Sequence, residues 1–219
     1  MSAAEGGDIF PRLVTALRAV RLPAALHAEE MPAPTRIARA AWAMSGWVGA
    51  ERPVGVERGT GGDGTPPDEP LAADGRFVLL HGLRATDTIR APGADWRIVV
   101  LVRAVVDVAM AEDPLVTAVA WHVLSEMLEA AGARTTGATA TVTRSISEAF
   151  GRHGDRDPEQ TVELRASWTP LWGPRPIRAA PSHLWAWARL LGSAGGLPEV
   201  SDMPHPVPVP RPSGSRRDA

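Results

Sequence analysis

The segment "DWRIVVLVRAVVD", residues 95–107, constrains the fold more than any other part of the sequence. Its side chains alternate in character with a period of two, which predicts a β-strand that presents different residues to its two faces. One face is wholly apolar and must lie under helices; it consists of Trp96, Ile98, Val100, Val102, Ala104 and Val106. The opposite face mixes charged and aliphatic residues, namely Arg97, Val99, Leu101, Arg103, Val105 and Asp107.

Three helices are expected around this strand. An apolar stripe predicts the first helix from Asp8 to about Val20. A broader stripe predicts a second helix, with Asp113 as its N-cap, Pro114 as its first residue and Gly132 at its end. The third is a short tryptophan-bearing helix, "HLWAWARLLG", capped by Ser182.

Four further segments predict strands: "AAWAMSGWVG", for which a helix also stays open, "RFVLLHG", "TTGATATVTRSIS" and "VELRASWT". The second of them should pair antiparallel with residues 95–107, and the last two should form a second hairpin. The predicted order is therefore α-β-β-β-α-β-β-α, an α+β fold in which an antiparallel sheet of about five strands carries helices on one face. This order is similar to that of type III secretion chaperones.

Residues 8–197 read as a single domain with one loop insertion. Residues 50–75 are rich in Gly, Pro and acidic residues and offer too little apolar surface to offset the entropy of ordering, which predicts a mobile loop. Residues 198–219 are punctuated by proline and predict a disordered tail.

Composition excludes several kinds of chemistry. The chain has no cysteine, so thiolate nucleophiles, disulfides and Cys-ligated metals are ruled out. The formal net charge is −2 and the arginines are scattered among acidic residues, which argues against a nucleic-acid partner. No signal peptide and no apolar run of about 20 residues is visible, so no membrane partner and a cytoplasmic location are expected.

No motif in the sequence indicates a cofactor, a metal or a catalytic set. "GTGGDG" has dinucleotide-binding spacing, but Pro66 and Pro67 follow it where a helix should begin. A Walker A motif is impossible without lysine, and the six histidines lack the helical spacing of metal ligands. His122 and Glu126 are read as a solvated pair one helical turn apart.

The mixed face of the central strand is the main candidate site. Adding the last strand gives a surface of Arg97, Val99, Leu101, Arg103, Glu163 and Arg165. Fully burying a Val or Leu is worth about 1.5 to 3 kcal/mol, so a cluster of aliphatic residues left in water suggests that something covers it. The cover is predicted to be a second copy of the chain, a partner segment or the chain's own terminal helix; the alternative is a half-solvated sheet face that tolerates its three aliphatic residues.

Two classes of function fit this surface. The first is a non-enzymatic protein-binding or chaperone-like module, which can act as a homodimer. The second is a small anion- or carboxylate-binding protein or enzyme, with Arg97, Arg103, Glu163 and Arg165 as the site. A flat surface would favour the first and a concave pocket the second.

The tryptophans Trp172, Trp185 and Trp187 either form an aromatic recognition surface or dock the last helix.

Three blocks carry a resemblance to a known family: "DWRIVVLVRAVVDVAMAEDPLVTAVAWHVLSEMLEAAGA", "GATATVTRSISEAFG" and "VELRASWTPLW". They are similar to the uncharacterised actinobacterial family called domain of unknown function 3000, over about residues 8–198. The resemblance implies an actinobacterial, cytoplasmic protein and supplies no activity, cofactor or catalytic residue. Family members often lie near a ribonuclease D-like gene, so it also implies an accessory role in RNA metabolism as a third hypothesis. The Gly/Pro insertion near residues 55–70 departs from the family pattern.

Overall fold

The computed structural model describes residues 6–49, 72–83, 95–148, 150 and 158–198. Within these ranges the chain forms one six-stranded sheet and four helices, in the order α1 (Gly6–Arg18), β1 (His27–Met31), β2 (Ala38–Val48), β3 (Ala73–Leu83), β4 (Trp96–Val106), α2 (Val108–Glu112), α3 (Val116–Ala130), β5 (Thr135–Ser147), β6 (Glu159–Pro170) and α4 (Pro176–Ala194). The predicted loop of residues 50–75 lies outside the described residues up to residue 71, but residues 73–75 belong to β3, so the loop prediction ran three residues too far. The predicted tail lies outside the described residues from residue 199.

All neighbouring strands of the sheet run antiparallel, in the spatial order β1-β2-β3-β4-β6-β5. The predicted pairing of β3 with β4 is confirmed, as is the β5–β6 hairpin. The outermost strand of that hairpin comes first in the chain, so β6 lies between β5 and the central strand β4. The α+β class and the position of the sheet among the helices are as predicted.

Two elements and two caps differ from the prediction. Strand β1 was not predicted, because "HAEEM" lacks an apolar alternation. The short helix α2 was not predicted either, because its five residues are too few to show a helical period. Helix α3 begins at Val116 rather than at Pro114. The Asp113 carboxylate accepts a hydrogen bond from the Leu115 amide, which precedes the helix, so Asp113 is not the N-cap. Ser182 lies inside α4 and donates to the Ala179 carbonyl, so it is not a cap.

Helices α1, α3 and α4 cover one face of the sheet. The apolar side of β4 lies beneath them, with Ile98, Val100 and Val102 buried, so the predicted phase of this strand is confirmed. In the described ranges, no helix combines the length and apolar character needed to cross a membrane.

Two strand glycines make room for the central tryptophan of α4. A Cβ added at Gly46 would lie 2.8 Å from the ring of Trp187, and one added at Gly75 would lie 3.3 Å from its Nε1 and 2.6 Å from the Leu101 carbonyl oxygen. The indole Nε1 in turn donates to that carbonyl at 3.3 Å. The bare backbone therefore allows α4 to pack closely on the sheet.

Replacing Gly75 by alanine is expected to lower the free energy of unfolding by about 1 to 3 kcal/mol, because the new methyl group collides with backbone that cannot move aside. Gly192→Ala in α4 is the matched control, since its Cβ would meet only Leu197 at ordinary contact distances and alanine favours the helix. Urea denaturation of both variants measures the difference. Equal stability of the two would contradict the close packing of α4.

Candidate protein-binding face of the sheet

The side of the sheet opposite α1, α3 and α4 is called the open face here. Along β4 it presents Val99 and Val105, whose side chains are 36% and 39% exposed, and between them Leu101, which is half-buried. Side chains of the same face are buried on β2 and at one end of β3, as Ala43 and Leu80 show. The exposed part of the open face is therefore centred on β4 and extends towards β6 and β5.

Strand β3 adds residues that the sequence reading missed. The register places half-buried Val78 opposite Val99 and exposed Arg76 opposite Leu101. The signal was present in "DGRFVLL", because Phe77 and Leu79 are the inward residues and their neighbours must face outward. The aliphatic patch is thus wider than a single strand.

Ion pairs border this patch on β6. The Arg103 guanidinium lies 3.0 Å from a carboxylate oxygen of Glu159, and the Nε of Arg165 lies 2.6 Å from Glu163. Glu163 is directly opposite Arg103 in the register but pairs with its own strand neighbour instead. Pairs of this exposure contribute about 0 to 1 kcal/mol each, so they fix side-chain positions more than they stabilise the fold.

Arg97 is not part of the exposed surface, which corrects its prediction as a binding residue. Its side chain is only 5% exposed, and it donates to the Ser167 hydroxyl at 2.7 Å and to the Gly137 carbonyl at 3.3 Å. Burial lowers the pKa of this guanidinium from its usual value. The residue ties β4 to the β5–β6 hairpin.

Of the four residues of the predicted anion site, Arg103, Glu163 and Arg165 are neighbours on β4 and β6, but Arg97 lies apart from them. Arg97 and Arg103 are six residues apart on one strand, which corresponds to about 20 Å. Arg103 and Arg165 already bind carboxylates of their own chain. The arrangement offers no concentrated positive charge to a small anion, and this observation weighs against the second class of function.

Two cavities in the described part of the molecule lie elsewhere. One is beside the end of α4, lined by Met127, Arg189 and Leu197 among others, and the other is a groove between α3 and β5. Neither is lined by any of the six predicted binding residues. Among the described residues, no group of His, Asp and Glu side chains is arranged to hold a metal ion.

The predicted aromatic surface is wrong for two of its three members. Trp185 and Trp187 are 2% and 0% exposed and dock α4 onto the sheet, which was the other reading of these residues. Trp172 is half-buried and packs edge-on against Trp96 and His183. Because α4 lies on the helix-covered side, the chain's own terminal helix does not cover the open face.

Comparisons with known proteins identify a family for the chain but no activity. A family model described as "Protein of unknown function (DUF3000)" matches residues 7–203. No curated protein and no solved structure matches the chain.

Proposed function

Because the chain belongs to the DUF3000 family of proteins of unknown function, we propose its role from its own surface: it is a non-enzymatic, chaperone-like module whose open face binds a segment of a partner protein. The aliphatic patch of Val78, Val99, Leu101 and Val105 is the observation that carries this proposal. Each of these side chains is part-exposed, so a partner that covers the patch would gain about 0.5 to 1 kcal/mol of hydrophobic free energy per side chain.

The charges around the patch suit a protein segment better than the other candidates. Arg103, Arg165, Glu159 and Glu163 offer both signs along β6 and its border with β4, so they can orient a partner that carries matching charges. A nucleic-acid backbone would have to displace the carboxylates from both arginines. The RNA-metabolism hypothesis therefore finds less support on this surface than protein binding does.

Substituting Val99 by aspartate is expected to weaken partner capture strongly without unfolding the protein, because the site is exposed but central to the patch. The measurement is photo-crosslinking in the source organism, with a photoreactive residue at position 105 of the wild type and of the variant. A specific protein adduct should form in the wild type and fall at least about tenfold in Val99→Asp, as expected for a charge placed in an apolar contact.

Ile37→Asp provides the matched control, since Ile37 is 40% exposed and precedes β2 away from the patch. It should crosslink like the wild type, and all three proteins should keep the same thermal midpoint within a few degrees. Retention of every adduct by Val99→Asp would remove the open face as the binding surface. Adducts to RNA instead of protein would favour the RNA-associated role, and binding of RNA by the purified protein should then weaken steeply with added salt.

A further inference from the structure

The two edges of the sheet differ in how well they are protected against pairing with another strand. Edge strand β1 has five residues, carries Glu29 as well as Glu30, which binds Arg18 of α1, and is followed at once by Pro32. Short length, charge and proline are the usual means of blocking an edge. Edge strand β5 has thirteen residues, contains no proline and carries no charge from Thr135 to Thr143. Within the described residues, no strand pairs with its outer side.

Arg144 is the one charged residue inside β5, and it is used within its own protomer. Its Nη1 donates to the carbonyl oxygens of Ala111 at 3.1 Å and Asp113 at 3.2 Å, at the end of α2. The guanidinium is therefore held over the connection between α2 and α3. It does not guard the outer edge of the strand as a free charge would.

The strand and its flanks are complementary to themselves. Residues 135–147 are centred on Thr141, so a second copy running antiparallel in full overlap places Thr141 opposite Thr141. Arg134 and Glu148 flank the two ends, and both are exposed. This overlap brings Arg134 to within one position of Glu148 of the second copy, allowing for the single extra residue of the bulge between Thr136 and Thr139. Arg144 falls opposite an alanine, so no like charges meet.

The helix-covered side of this edge adds apolar surface to the pairing. A groove between α3 and β5 is lined by Ala118 and Trp121 on the helix and by Ala138, Ala140 and Val142 on the strand. Trp121 is part-exposed there. In the antiparallel overlap Ala140 lies opposite Val142 of the second copy, so the small strand residues of both chains form one strip between two tryptophans.

We propose that two copies of this chain associate through their β5 strands, paired antiparallel about Thr141, into a closed dimer with one continuous sheet. The protected β1 strands form both outer edges of that sheet, so assembly stops at two copies. The open face of each copy stays available, and this inference does not depend on the function proposed for that face.

Thr141→Glu is the sharpest test of this pairing. Within one protomer the new carboxylate lies opposite Arg165, which favours the fold, whereas in the dimer two carboxylates face each other across the symmetry axis. Sedimentation equilibrium of the full chain is expected to show a wild-type dimer and about tenfold weaker dimerisation of the variant. Thr141→Gln, the uncharged control, should dimerise like the wild type.

A charge exchange distinguishes self-pairing from binding of a different strand. Arg134→Glu and Glu148→Arg should each weaken the dimer about three- to tenfold, because each places like charges at both ends of the interface. The double variant should regain wild-type affinity. A wild-type monomer at the highest soluble concentration would overturn the proposal, and so would a dimer that Thr141→Glu leaves unchanged.

Discussion

Trp187→Ala is expected to lower the free energy of unfolding by about 3 to 5 kcal/mol, the cost of emptying a large aromatic site in a packed core. The indole is fully buried, contacts the ring of Phe77 at a centroid distance of 6.0 Å and fills the space above two strand glycines. A loss of this size is a large part of the 5 to 15 kcal/mol that stabilises a typical domain. Urea denaturation followed by circular dichroism measures it.

Trp187→Phe separates packing from hydrogen bonding at this site. Phenylalanine keeps an aromatic ring over the glycines but loses the bond from Nε1 to the Leu101 carbonyl. The expected loss is smaller, about 1 to 3 kcal/mol, for one unsatisfied buried carbonyl and the missing ring volume. If alanine at position 187 cost less than phenylalanine, the packing of α4 on the sheet would be misassigned.

Acidification is expected to destabilise the protein through His183. This imidazole is buried, and burial lowers its pKa to about 4. Its Nδ1 also accepts a hydrogen bond of 3.2 Å from the Trp168 indole, so protonation there would break a buried contact. Between the unfolded pKa of about 6.5 and the folded value, the unfolded chain binds a proton that the folded protein does not. The free energy of unfolding therefore decreases as the pH is lowered, by about 2 kcal/mol at pH 5 and by about 3 kcal/mol at pH 4.

His183→Asn isolates this contribution, because the asparagine oxygen can still accept from Trp168 but does not titrate. The free energy of unfolding, measured from about pH 7.5 down to about pH 5, should fall by about 2 kcal/mol less in the variant than in the wild type. His81, whose pKa burial also lowers, is unchanged in both proteins and cancels in the comparison. The same pH dependence in both proteins would show that folding does not lower the pKa of His183.

Period-two alternation predicted the sheet well because one of its faces is fully buried. Along β4 the inward residues Ile98, Val100 and Val102 admit only one phase, and a shift by one residue would bury Arg103. Strand β1 could not be found in this way, since it is a short edge strand whose sequence is largely polar. Its pairing with β2 includes a ring contact between His27 and Trp47, but one such contact leaves no period-two pattern in the strand.

The candidate site was predicted less completely, and Arg97 shows why. Alternation placed it correctly on the open face, but exposure depends on what neighbouring strands contribute. The Ser167 hydroxyl and the Gly137 carbonyl that enclose it are 70 and 40 residues away in the chain. Val78 was missed for the opposite reason, because its position follows from the register between β3 and β4 rather than from its own segment.

The placing of β6 between β4 and β5 affects how the chain can fold during synthesis. The pairing of β4 with β6 joins residues that are far apart in the sequence, such as Val99 and Ser167. A nascent chain must therefore close a long loop before the sheet is complete. Helix α4, which covers much of the apolar side, is made later still. Until then a four-stranded intermediate would display both an unpaired inner edge and an uncovered hydrophobic layer, and cellular folding factors would find it a ready substrate.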